Sequence, residues 1–162
     1  MERGNSCFEM SGFGSACIRV HLRPIIPYNA RPMFRRLLRS KLHQARVTFT
    51  DVNYHGSITI DSRLLAAAGL LPNEAVLVAD CENGNRFETY IIPGEAGSGM
   101  IGVNGAAARL TKVGNRVIIM AFGFATESEI GHHTARVLIL DQHNVVTEEM
   151  NHPSRLPDQP LE

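Results

Sequence analysis

The chain has 162 residues, which suits one domain, and its 44% hydrophobic and 20% charged residues are ordinary for a globular protein. Lys and Arg together number 16, as do Asp and Glu, so the formal net charge is 0. Nucleic acids and anionic membranes attract proteins with surplus positive charge, so this balance argues against either as a partner.

Three cysteines, Cys7, Cys17 and Cys81, occur without CxxC spacing. An odd number in this arrangement fits neither a disulfide framework nor a zinc site. Free thiols indicate a reducing compartment, so we expect a cytoplasmic protein. No apolar run approaches the about 20 residues that a membrane helix requires.

The two ends of the chain differ from its middle. Residues 1–32 are rich in glycine and proline and sustain no period of 2 or 3.6. We expect them to be a disordered extension or the product of a start codon assigned too early. Residues 33–149 are expected to form the folded domain, and residues 150–162, which contain three prolines, a disordered tail.

A basic run crosses the start of the folded domain, and its charge has two interpretations. Its members are Arg31, Arg35, Arg36, Arg39, Lys41 and Arg46. Most charge runs form a solvated strand edge or loop, which is the interpretation we favour. The alternative is that one or two of these side chains hold an anionic substrate.

Alternating and short apolar segments predict strands along the rest of the chain. Period-2 alternation begins at Gln44 and indicates a half-buried strand, and the apolar run 117–122 predicts a strand buried on both faces. The Asn-Gly pair at 83–84 predicts a tight hairpin turn. Further strands are predicted at 57–60, 75–79, 86–92, 100–103, 136–140 and 145–148.

Helices are predicted to be few and short. Asp61 suits the N-cap of a helix over 62–68, which Gly69 would end. The spacing of Thr126 and Glu129 is that of a capping box, and residues 106–108 predict one helical turn. Many short strands with small helices favour a mainly β fold, a compact β-barrel.

Four short segments carry the functional signal. A Gly-Ser pair ends the segment 54–57, residues 41–43 are Lys-Leu-His, residues 83–90 are Asn-Gly-Asn-Arg-Phe-Glu-Thr-Tyr, and residues 103–108 are Val-Asn-Gly-Ala-Ala-Ala. From about Met33 to about Val146, their order and spacing resemble those of the aspartate 1-decarboxylase family.

The resemblance implies a fold, an assembly and a reaction. Members of this family fold as a small six-stranded double-psi β-barrel with short helices and assemble as homotetramers. They cut their own backbone before a serine and convert that serine to a pyruvoyl group, with or without a maturation helper protein. They then decarboxylate L-aspartate to β-alanine and CO₂, a step that feeds pantothenate and coenzyme A biosynthesis.

The chemistry explains why a Gly-Ser pair is needed. Loss of the α-carboxylate leaves an electron pair on Cα, which requires an electron sink. A pyruvoyl ketone supplies one by condensing with the substrate amine as a Schiff base, so neither a metal nor pyridoxal phosphate is implied. Ser57 would be its precursor after attack of Oγ on the Gly56 carbonyl, and Gly56 suits the strained turn this requires. By itself, a Gly-Ser pair is more often an ordinary turn.

The resemblance also assigns the other site residues. Tyr90 would protonate Cα after CO₂ leaves, since a phenol is protonated at neutral pH. Arg86 would hold the retained carboxylate with its planar fork. The remaining substrate-binding residues are assigned as Thr89, Lys41, Gly105, Ala106 and Ala107, and the supporting residues as Asn104, Tyr54 and His43.

Two alternatives stay open. One is a pyruvoyl decarboxylase of another amino acid, which Arg86 disfavours because a guanidinium repels a cationic side chain. The other is a small β-barrel binding module, a DNA-binding dimer, which the basic run would support and the zero net charge opposes. The chain also departs from residues usual in the family at Asn53, His55 and Asn115, and the first two could change the rate of self-cleavage.

Overall fold

The computed structural model describes residues 33–155, so the extension predicted for residues 1–32 lies outside the described residues. The strands of this part are β1 Phe34–Arg46, β2 Phe49–Asp51, β3 Ser57–Asp61, β4 Ala75–Asp80, β5 Arg86–Gly94, β6 Ile101–Asn104, β7 Arg116–Thr126, β8 Thr134–Leu140 and β9 Val146–Pro153. The helices are short: α1 Ser62–Ala68, a 3₁₀ helix Gly105–Arg109 and α2 Glu127–Ile130. None of the helices within residues 33–155 is long and apolar enough to cross a membrane.

The strands pair in the order β2-β6-β3-β5-β4-β7-β1-β8-β9. Only Val47 and Thr48 separate β1 from β2, and the Thr48 backbone N–H and hydroxyl both donate to the Ile101 carbonyl of β6, at 2.7 and 3.0 Å. β1 and β2 therefore act as one bent segment that closes the sheet into a ring of β1/β2, β6, β3, β5, β4 and β7. β8 and β9 continue the sheet beside β1, outside this ring. The predicted fold class, a small mainly β barrel of six strands with short helices, is confirmed.

Side chains on one face of the ring form the core. Ile58 pairs with Ile91 on one side and Val103 on the other, and all three are 0% exposed. Because side chains alternate along a strand, every second residue points outward. On β7 the outward row is apolar but only half-buried: Ile118, Met120 and Phe122. The prediction that this strand is buried on both faces is therefore wrong for the single chain.

β1 differs most from the sequence expectation. The alternation predicts a strand only from Gln44, whereas the structure has a 13-residue strand that begins at Phe34 and lies between β7 and β8. Register shifts between Leu38 and Ser40, and between Leu42 and Ala45, interrupt the period of 2 and hide the strand from a pattern search. Three arginines of the basic run also meet carboxylates: Arg35 with Glu127, Arg36 with Glu88, and Arg39 with Glu74.

Local signals elsewhere agree with the structure, except at the tail. Asp61 caps α1 by accepting a 2.7 Å hydrogen bond from the Arg63 N–H, and Gly69 ends the helix with φ of 66°. Thr126 and Glu129 form the predicted capping box of α2. β9 runs to Pro153, so the predicted tail boundary at residue 150 is wrong, and residues 156–162 lie outside the described residues.

A buried carboxylate fixes the turn between β4 and β5. Asp80 is 2% exposed and accepts hydrogen bonds from Thr111 Oγ1 at 2.6 Å and Asn115 Nδ2 at 2.7 Å. It also accepts from the backbone N–H groups of Glu82 and Asn83. Burial alone would raise the pKa of the Asp80 carboxyl, but these donors hold it below its ordinary value of 3.8. The turn that leads into β5 is thereby tied to the loop before β7.

We expect Asp80→Asn to lower the free energy of unfolding by roughly 2–3 kcal/mol at neutral pH, because hydrogen bonds to a charged group stabilise more than neutral ones. The folded-state pKa of Asp80 is lowered, so the wild type has this stabilisation above pH 3.8 and loses it as the pH falls through the folded-state pKa. The gap in stability between variant and wild type should therefore narrow as the pH is lowered below 3.8. Urea unfolding followed by circular dichroism, at neutral pH and at a series of pH values below 3.8, measures this gap. Glu95→Gln, at an exposed loop carboxylate, is the control, and equal stabilities at neutral pH would contradict this account of Asp80.

Candidate active site

Ser57 begins β3 and lies between β5 and β6. It pairs directly with Asn104, the last residue of β6. Ile58 pairs with Ile91 of the parallel strand β5, and the same register places Tyr90 beside Ser57 one residue earlier. Paired residues point to the same face of a sheet, so Asn104, Ser57 and Tyr90 share the outward face, opposite the buried isoleucines. The structure thus brings together the serine, the residue assigned as proton donor and Asn104.

An amide holds the Ser57 hydroxyl. Asn104 Nδ2 donates to Ser57 Oγ at 2.9 Å and to Thr59 Oγ1 at 3.0 Å. The contact of Ser57 Oγ with the His55 carbonyl is long, at 3.5 Å, so the bond from Asn104 is the stronger constraint. Ser57 is 0% and Asn104 2% exposed, so water does not compete for this bond.

The backbone before Ser57 lies against Gly105. Gly105 has φ of 67°, in the left-handed region that glycine adopts without strain. A Cβ at this position would stand 2.7 Å from the Gly56 Cα and 2.9 Å from the Gly56 nitrogen. Glycine at 105 therefore lets the turn after β6 approach the backbone of Gly56. The two segments that the sequence analysis singled out are in direct contact.

Residues assigned to substrate binding follow each other along β5. Arg86 and Tyr90 are both exposed, and because they are four residues apart on a strand they lie on the same outward face. Thr89 is half-buried and lies on the opposite face. Tyr90 is 40% exposed. The Arg86 guanidinium donates one hydrogen bond within the described residues, a long one of 3.4 Å to the Gly84 carbonyl, and is open to an anion. Four residues of strand separate the backbones of Arg86 and Tyr90 by about 13 Å.

The turn before β5 is bonded to the segment after β6. Asn83 Nδ2 and Asn85 Nδ2 both donate to the Leu110 carbonyl at 2.9 Å. Leu110 follows the 3₁₀ helix, and its N–H donates to the Ala107 carbonyl. Ala107 is half-buried and Ala106 exposed. Residues 105–108, the small-residue segment, are therefore held beside the start of β5.

Lys41 and His43 lie on β1 and are not part of this cluster. Lys41 pairs with Met120 of β7 and Val137 of β8, and His43 pairs with Ile139 of β8. His43 Nδ1 is buried without a hydrogen-bond partner among residues 33–155. Burial first, and then the charge of Lys41, lower the pKa of His43, so its imidazole is neutral at pH 7.

Tyr54, assigned as a supporting residue, lies at the periphery of the site. The Tyr54 ring is 49% exposed and meets the His55 ring edge-on, with 5.7 Å between centroids. Within residues 33–155, no three His, Cys, Asp or Glu side chains are placed to hold a metal ion. Cys81 is an exposed free thiol.

The fold and the site define a small β-barrel protein with a fully buried serine, Ser57, at the start of a strand. The model of the aspartate decarboxylase family matches residues 33–147, and the chain belongs to this family.

Several relatives are similar over nearly their whole length. An aspartate 1-decarboxylase of Staphylococcus aureus is 51% identical over 116 residues, which cover 72% of this chain and 91% of the relative. That of Moorella thermoacetica is 55% identical, with 71% of this chain and 90% of the relative covered. That of Listeria welshimeri is 49% identical, with 74% and 98% covered.

One site residue, Thr59, is not identified by the sequence analysis. Its hydroxyl accepts the second N–H of the Asn104 amide, and its methyl carbon Cγ2 would lie 3.1 Å from a Cβ at Gly94. The period of 2 in β3 places Thr59 on the same face as Ser57. This period of 2 is the one sequence signal that points to Thr59. The hydrogen bond from Asn104 depends on the pairing of β3 with β6, which no local sequence pattern shows.

We expect Gly105→Ala to destabilise the fold more than Gly114→Ala. Both glycines have positive φ, 67° and 87°, so alanine costs about 1–2 kcal/mol at either from backbone strain. A Cβ at 114 would meet nothing within 4 Å, whereas at 105 it meets the backbone of Gly56. Thermal melting should therefore show a lower midpoint for Gly105→Ala, by at least about 4 °C, the shift of 1 kcal/mol in a small domain. Equal midpoints would contradict the close approach to Gly56.

Proposed function

We propose that the chain cleaves itself between Gly56 and Ser57 and then decarboxylates L-aspartate to β-alanine and CO₂. The observation that carries the proposal is the buried Ser57 hydroxyl, which Asn104 fixes directly after Gly56, the residue against whose backbone Gly105 packs. The relatives named aspartate 1-decarboxylase support the substrate.

In the cleavage step, Ser57 Oγ bonds to the Gly56 carbonyl carbon and the Gly56–Ser57 C–N bond breaks. The hydroxyl proton passes to the Ser57 nitrogen, giving an ester. Loss of the Cα proton and of the Cβ–Oγ bond then releases a carboxylate at Gly56. Water replaces the freed nitrogen of residue 57, which leaves as ammonia. Overall, one water enters and one ammonia leaves, with no oxidant or reductant.

This sequence of steps would leave a pyruvoyl group at residue 57. That group supplies an electron sink for the pair left on Cα. Ser57 is fully buried before cleavage, whereas the three residues before it, 54–56, are exposed. Separation at Gly56 would free the end of this exposed segment, and we expect access to residue 57 to follow the cut.

Tyr90 and Arg86 would then divide two tasks between them. Tyr90 lies beside residue 57 on the outward face and is 40% exposed, a suitable place from which to give a proton to Cα. Arg86 is on the same face, near the small-residue segment, and presents a guanidinium for the carboxylate that stays. The carboxylate that departs would thereby be left without a strong partner.

Assembly into a homotetramer is part of the proposal. The outward row of β7 is apolar and partly open, and another copy would bury it. Lys41 pairs with Met120 of this row, so burial of the row would bring Lys41 into an interface. No nucleic-acid partner is proposed, because three arginines of the basic run are paired with glutamates. We place the reaction in the cytoplasm, as a supply of β-alanine for pantothenate.

The decisive test of self-cleavage is denaturing mass spectrometry. Wild-type protein should give two chains split at 56/57, whose summed mass equals the intact chain plus water minus ammonia. Ser57→Ala lacks the nucleophile and should remain one chain. Ser62→Ala, which removes a hydroxyl bonded to the Gly94 carbonyl, is the matched control and should split as the wild type does. A split at 56/57 in Ser57→Ala would overturn the mechanism.

Tyr90→Phe and Arg86→Ala should fail differently in the processed enzyme. Tyr90→Phe removes only the hydroxyl, so turnover should fall on the order of 10²–10⁴-fold, the usual effect of a positioned acid. Arg86→Ala removes a charged anchor worth roughly 2–5 kcal/mol, which should appear in KM as well as kcat.

Steady-state β-alanine production measures both effects, with Arg136→Ala on β8 as a control for loss of an exposed arginine. A normal kcat in Tyr90→Phe would remove the role of Tyr90 as acid. A normal KM for aspartate in Arg86→Ala would remove the carboxylate contact.

A further inference from the structure

The Asn104 amide is divided between two hydroxyls. Its nitrogen carries two hydrogens, and the two acceptors within reach are Ser57 Oγ at 2.9 Å and Thr59 Oγ1 at 3.0 Å. Both hydroxyls belong to β3, two residues apart on one face, while Asn104 comes from the neighbouring strand β6. Each N–H of the amide thus has one acceptor.

Thr59 fixes the direction in which Asn104 points. Asn104 is 2% exposed, so an N–H that lost its acceptor would stay without water and cost free energy, or the side chain would rotate away. Rotation about the Asn104 side chain would move the other N–H off Ser57 Oγ. The position of the nucleophile therefore depends on a hydroxyl that does not itself touch the Gly56–Ser57 bond.

We propose that Thr59 is a positioning residue for self-cleavage, acting on Ser57 through Asn104. This inference rests on the self-cleavage proposed above. The N–H of Asn104 occupies one lone pair of Ser57 Oγ and leaves the other for the Gly56 carbonyl carbon. The same N–H holds Oγ in place while the Oγ–C bond forms and the hydroxyl proton moves to the Ser57 nitrogen.

The shape of the site makes a matched substitution available. Thr59→Val keeps the methyl group that faces Gly94 and replaces only the hydroxyl. Thr59→Ser keeps the hydroxyl and removes the methyl. Thr48→Val is a control on the segment between β1 and β2, since the Thr48 hydroxyl donates to the Ile101 carbonyl and accepts from the Ile101 N–H and has no bond to Asn104.

The experiment follows the conversion of freshly purified intact chain to two chains by denaturing mass spectrometry, alongside thermal melting. We expect Thr59→Val to split about 2- to 10-fold more slowly than wild type, the range for one neutral hydrogen bond. Thr59→Ser should recover the wild-type rate. Thr48→Val should lower the melting midpoint while splitting at the wild-type rate.

The outcomes separate this inference from the proposed function. A wild-type chain that never splits would contradict the proposed self-cleavage itself. A wild type that splits, with Thr59→Val splitting equally fast, would overturn the role of Thr59 alone. Slowing in Thr48→Val to the same degree would also overturn it, because general destabilisation would then explain the effect. If Thr59→Val does not fold, Thr59→Ala, which adds no methyl beside Asn104, gives the same comparison with Thr59→Ser.

Discussion

The hydrogen bond from the Asn104 amide to Ser57 Oγ joins two strands at the point where the chain is proposed to break. Its geometry depends on the register of β3 with β6, which pairs these two residues directly. It depends equally on burial, because a water molecule in this place would compete for both partners. The ring of strands fixes this register, and its buried aliphatic side chains exclude water from the region of Ser57.

Backbone shape adds a second constraint that side chains could not supply. Gly105 turns through a positive φ and brings the main chain within a distance of Gly56 that no other residue permits. The turn continues into the 3₁₀ helix, whose far end is held by two asparagines from the turn before β5. The segment 105–110 thereby connects the Gly56 backbone to the start of the strand that carries Arg86 and Tyr90.

Local patterns predicted much of this architecture, and long-range pairing accounts for the rest. The Asp61 cap, the Gly84 turn and the capping box of α2 each involve neighbours in sequence, where chemistry and spacing are sufficient. β1 was predicted too short because its bulges break the alternation and because its charges resemble those of a loop. The outward face of β7 was predicted buried because hydrophobicity alone does not distinguish a core from a surface that another copy would cover.

In the candidate site, too, some residues could be predicted from a local motif and others only from strand pairing. A motif indicated Ser57, Tyr90 and the 104–107 segment, and strand register explains why they meet. Thr59 carries no motif, and its connection to Ser57 exists only through a residue 45 positions away along the chain. Lys41 was assigned by resemblance to the substrate site, yet within one chain it lies between β7 and β8.

The position of the Gly56–Ser57 bond between β2 and β3 has a consequence for the architecture of the processed molecule. β1 and β2 precede the bond and β3 to β9 follow it, so the cut would divide one barrel between two polypeptides. β1 is hydrogen-bonded along both edges, to β7 and β8, and β2 is paired with β6. The smaller polypeptide would thus act as a donated strand that completes the sheet of the larger, in the manner of strand complementation between separate proteins. Main-chain hydrogen bonds, not the covalent chain, would keep the barrel closed.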